Sequence, residues 1–147
     1  METTLAARED AATILKLYEL RQEPVLRRAR TWLTVEFWPT SAEDVRVILA
    51  DFGSETNCWL RQVTSYWEMA TALVNHGILA PELFIDTNGE PFFIAAKFWP
   101  HLPQIRTTSA GFLTQMEKLV ERTGRARQRL DTLQATVAKR LAARMKS

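Results

Sequence analysis

The chain has 147 residues, 46% hydrophobic and 24% charged, which is enough apolar material for one buried core and too little charge for a disordered chain. One cysteine (Cys58) and two histidines (His76, His101) exclude an internal disulfide and a cysteine zinc cage, so no metal or cofactor is expected. The net charge of +2 hides a split: residues 1–117 carry 10 Lys/Arg against 15 Asp/Glu, while residues 118–147 carry 9 against 2.

Helical spacing dominates the chain. Ile14, Leu17 and Tyr18 recur at three and four residues within Leu5–Gln22, which predicts a first helix. Pro24 suits the first turn of a second helix, whose stripe is Leu26, Ala29, Leu33 and Phe37 and which Trp38-Pro39 ends. Ser41 reads as an N-cap with Glu43 and Asp44 behind it; Val45, Ile48, Leu49 and Phe52 form the apolar face, and Gly53 stops the helix.

The stretch from about Glu55 to His76 predicts the central, aromatic-rich helix. Leu60, Val63, Trp67, Ala70, Leu73 and Val74 advance by three or four, Trp59, Tyr66 and Met69 broaden the stripe, and Gly77 ends it. Pro81 opens a short helix that stops at Asp86-Thr87-Asn88-Gly89. Asn88-Gly89 also suits a hairpin, but the helical spacing of Phe92 through Trp99 favours helices over residues 84–99. Pro100 and Pro103 mark a connector or a kinked helix.

Thr108 or Ser109 is placed to cap a final helix that runs from about Ala110 nearly to the C-terminus, with Gly124 as its weak point. Met116, Leu119, Thr123, Ala126, Leu130, Leu133 and Val137 alternate three and four apart, like the seam of a short coiled coil, and Leu141 and Met145 continue the stripe. The expected architecture is an all-α bundle of six or seven helices: a body over residues 1–117 and a long basic helical extension over 118–147. No run of apolar residues is long enough for a membrane span, and Met1-Glu2-Thr3-Thr4 lacks the basic start and apolar block of a secretion signal, so a cytoplasmic protein is expected.

Tyr66-Trp67-Glu68-Met69, Leu73 through Leu79, Leu83-Phe84, Phe98-Trp99, Ile105-Arg106 and Phe112 through Leu119 together resemble the bacterial family known as domain of unknown function 4760, over roughly residues 58–122. The resemblance implies an all-helical fold and no established activity. Some relatives carry an N-terminal membrane segment, from which this chain departs. The match rests on helix-packing residues, and it accounts neither for the helices before residue 40 nor for the basic tail.

Candidate sites are few. Glu68, on the central helix, and Arg106, past the tryptophan helix, can form a buried ion pair, read as a structural tie in preference to a general acid or base. His76 reads as a helix-end residue, His101 as exposed, and Cys58 as a buried inert thiol. Trp38 and Trp99, each before a proline, are candidates for partial exposure at a partner surface. No phosphate loop or hydrolase motif occurs among the scattered glycines, so no enzyme activity is expected.

The basic patch of Arg122, Arg125, Arg127, Arg129, Lys139, Arg140 and Arg144 admits four readings: the flank of a homodimeric coiled coil, a nucleic-acid surface, a lipid surface, or a tail docked on its own acidic body. The first is preferred. A stripe of Leu130, Leu133, Val137 and Leu141 looks too long for a small body to cover, which predicts self-association or a protein partner, with nucleic-acid binding as the alternative.

Overall fold

Helix starts are set by local chemistry. Glu23 accepts the Leu26 amide at 2.9 Å, and Pro24 occupies the first turn of α2 (Pro24–Thr31), which follows α1 (Arg8–Leu20). Ser41 and Ser54 accept the amides of Asp44 and Asn57, opening α3 (Ala42–Ala50) and α4 (Glu55–Asn75). Gly77 takes a left-handed φ of +77°, which lets the amides of Ile78 and Leu79 both reach the Leu73 carbonyl and close the end of α4. The chain continues through α5 (Pro81–Thr87), α6 (Glu90–Phe98), a 3₁₀ turn over Trp99–His101, α7 (Leu102–Ile105), α8 (Thr114–Arg122) and α9 (Gly124–Met145).

The computed structural model describes residues 6–146, and within them the fold is all-α, with no strand. Helices, not a hairpin, occupy residues 84–99. Leu5 and the Met1–Thr4 stretch read for a secretion signal lie outside the described residues. No helix among the described residues is long and apolar enough to cross a membrane. Eight helices of seven residues or more are present among the described residues, one beyond the expected number, because the final helix expected from Ala110 is split into α8 and the long basic α9.

Thr123 is extended (φ −136°, ψ 128°) and separates α8 from α9, one residue before the weak point at Gly124. Nor does Thr108 or Ser109 cap α8. Residues 107–113 form turns, Leu113 is left-handed at φ 55°, and Glu68 of α4 caps the helix from a distance.

The core is built around α4, which packs on α2, α3, α5 and α8, while α6 takes α9 along its length. Phe84, Phe92, Phe98, Leu33, Leu60 and Leu119 are fully buried. Each such side chain contributes roughly 1.5–3 kcal/mol through its removal from water. Ring packing links the elements: Phe98 meets Phe112 edge-on at 5.2 Å, and Trp67 meets Phe84 at 6.4 Å. Phe52, expected on the apolar face of α3, lies past its end and is 78% exposed beneath the Arg61 guanidinium.

Candidate functional site

The end of α2 does not simply stop. It widens into a π-helical turn over Trp32–Glu36, closed by the Phe37 amide on the Trp32 carbonyl at 2.8 Å. A helix end leaves its last carbonyls without intrahelical donors. Here the Lys97 ammonium, brought in on α6, donates to the carbonyls of Leu33 (2.6 Å), Thr34 (3.1 Å) and Phe37 (2.7 Å), while the Trp38 indole N–H donates to that of Val35 (2.8 Å). The same nitrogen lies 3.9 Å from the centre of the Trp38 ring and 5.2 Å from that of Phe93.

Lys97 is 3% exposed, and burial, reinforced by Arg144 and Arg140, pushes its pKa down to about 7. It lines a cavity of about 440 Å³ with Trp38, Pro39, Ala96, Pro100 and His101 on one side and Gln134, Ala135, Val137, Ala138 and Leu141 of α9 on the other. A second hollow of about 410 Å³ shares Trp38 and Leu141 as its wall and adds Glu36, Thr40, Arg144 and Met145. The cavity beside Lys97 falls within the size range of small-molecule sites, about 300–1,000 Å³.

The seam expected to stay uncovered is covered by the chain itself over Leu130 to Val137, while its far end at Met145 is 73% exposed. Leu130 and Val137 are buried and Leu133 is packed against the core, because α6 presents an almost wholly apolar surface to α9; Leu141 is half-buried on the cavity wall. Part of the basic patch also contacts the body. Arg122 donates to the Asn75 carbonyl, Arg125 pairs with Glu82 and Asp86 of α5, and Arg129 lies against Gly89. Arg127 pairs with Asp131 within α9, Arg140 lies over Phe93, and Arg144 lies over Trp38. Lys139 is exposed.

Glu68 and Arg106 gather at the same place but do not pair with each other. Glu68 accepts the Gln115 and Met116 amides at 2.9 Å each, at the start of α8, while Arg106 donates to the Phe112 carbonyl and to Glu117 at 3.0 Å. Burial raises the Glu68 carboxyl, opposed by those two amides and by Arg106 and Lys118. The arrangement is a helix cap, since both carboxylate oxygens are occupied by backbone.

Cys58, expected to be buried, is exposed on α4. His76 caps the end of α4, and Trp38 and Trp99 are half-buried. His101 is half-buried on the cavity rim where exposure was expected, because the 3₁₀ turn at Pro100 folds it back towards α9.

The sequence pattern of the family described as Domain of unknown function (DUF4760) matches residues 6–123. The chain belongs to this family. The DUF4760 stretch therefore holds Trp38, Lys97 and His101, whereas α9, which walls the cavity opposite them, lies beyond the matched residues. No curated protein and no solved structure matches the chain.

Sequence reasoning passed over Lys97 as one more helical position. The available signal was its isolation: it is the one charged residue within the apolar run from Pro91 to Pro100, and a charge on such a stretch either breaks the core or is met inside it.

Proposed function

We propose that the protein is a non-enzymatic helical module that binds a small molecule in the cavity between α9 and the Trp38, Lys97 and His101 edge of the DUF4760 domain. The observation that carries this reading is the cavity itself, a concave apolar space with one buried basic group at its edge. A binding role is favoured over catalysis by how the polar groups are used. All three Lys97 N–H bonds are committed to backbone carbonyls, and among the described residues no aspartate or glutamate lines the cavity with His101 to orient its ring as a base.

The test is to fill the space. Ala138→Trp places a large side chain into the wall from α9, whose opposite face is exposed. In amide spectra of the full chain, 1-octanol is expected to shift the resonances of Ala96, Ala135 and Val137 in the parent and to leave them unmoved in Ala138→Trp. Equal shifts in both, or shifts confined to other parts of the fold, would overturn the reading.

A further inference from the structure

A buried ammonium is normally met by a carboxylate, since dipoles alone offset its lost hydration only in part. Lys97 has three carbonyls and two ring faces, and among the described residues no carboxylate pairs with it. The nearby groups add to the positive potential. Arg140 lies 5.6 Å from the Phe93 ring centre and Arg144 lies 5.3 Å from that of Trp38. The cavity is lined by Lys97 and His101 but by no aspartate or glutamate. Glu36, across the Trp38 wall, is already engaged by Arg28 at 2.5 Å. The remaining walls are aromatic, proline and aliphatic, apart from Gln134.

Resting on the cavity reading above, we infer that the occupant is a small amphipathic monocarboxylate taken from solution, its head at the Lys97 edge offsetting the ammonium charge through space while the three backbone carbonyls keep its N–H bonds, and its apolar body lying against Trp38, Ala138 and Leu141. A cationic, largely apolar space of this size excludes dianions with bulky polar bodies and disfavours amines by like-charge repulsion. With Lys97 poised near neutrality between Arg140, Arg144, His101 and the paired Glu36, an anion beside it restores the full ammonium, so binding takes up a proton at neutral pH.

The experiment titrates the full chain with three probes of equal chain length (octanoate, 1-octanol and octylammonium) and follows the Ala96, Ala135 and Val137 amides. The expected result is octanoate binding about tenfold tighter than octanol, with octylammonium weakest, and the octanoate preference shrinking to under about threefold in Lys97→Met. Arg140 is exposed, so Arg140→Gln leaves the fold intact and provides a second arm, with the octanoate preference falling in it as well. Equal binding of octanoate and octanol overturns the charge assignment and leaves the cavity reading standing. Tighter binding of octylammonium does the same. Absence of binding by all three overturns both.

Discussion

Arg30 and Glu90 form a two-pronged pair, with Nε and Nη2 of the arginine donating to the two carboxylate oxygens at 2.8 and 3.0 Å. The pair joins α2 to the first turn of α6 across 60 residues of sequence, and the Trp67 indole N–H of α4 donates to the same carboxylate at 2.9 Å. Three helices thus meet on one half-buried glutamate. Arg30 also reaches the Arg21 carbonyl, and Arg21 donates to Asn88, which extends the tie to the end of α5.

Removing that carboxylate strands two donors at once. Glu90→Ala is expected to lower stability by about 3 kcal/mol, because breaking a largely buried pair leaves the partner charge without compensation. Glu90→Gln, which keeps an acceptor for Trp67 or Arg30, is expected to cost roughly half as much. Urea midpoints measured at unchanged slope would report both, and a Glu90→Ala effect under about 0.5 kcal/mol would show the tie to be ornamental.

The docking of α9 makes a sharp contrast between two leucines of one stripe. Leu130 is fully buried against α6, whereas Leu141 is half-buried on the cavity wall. Leu130→Ala is expected to cost about 3 kcal/mol and Leu141→Ala less than about 1 kcal/mol, since only the first leaves a sealed void. Similar small losses at both positions would mean that α9 contributes little to the cooperative unit.

Lys97 gives stability a pH dependence whose sign follows from burial. The folded chain releases this proton near pH 7, while an unfolded lysine holds it to 10.5, so unfolding takes up a proton across that window. Stability therefore rises with pH from about 7 towards 10, by up to about 1.4 kcal/mol per pH unit, and the slope vanishes below pH 7, where both states are protonated. Comparing urea unfolding of the parent and Lys97→Met through the window isolates the effect. A difference between the two that stays flat with pH would refute the assignment.

What local chemistry controls was readable directly. Ser41, Ser54, Pro24 and Pro81 announce helix starts, Gly77 announces a stop, and the three-and-four spacing from Leu60 to Val74 marks the helix that becomes the centre of the core. The length of a stripe, by contrast, says nothing of what lies opposite it. Leu130 and Val137 were legible as apolar, but their shelter comes from α6, about 30 to 40 residues earlier in the chain. The same limit applies to the charges. Glu68 and Arg106 were both picked out, yet the fold hands one to the start of α8 and the other to Glu117.

Sequence alone therefore determined that this chain is helical and where most of its helices begin, because caps, prolines and periodicity act within a few residues, but not the break at Thr123 or the turns over residues 110–113. Only the tertiary structure decided that its basic arm lies on its own body and that Lys97 faces the open end of α2, because a charge or an apolar stripe takes its meaning from the partner that folding brings to it.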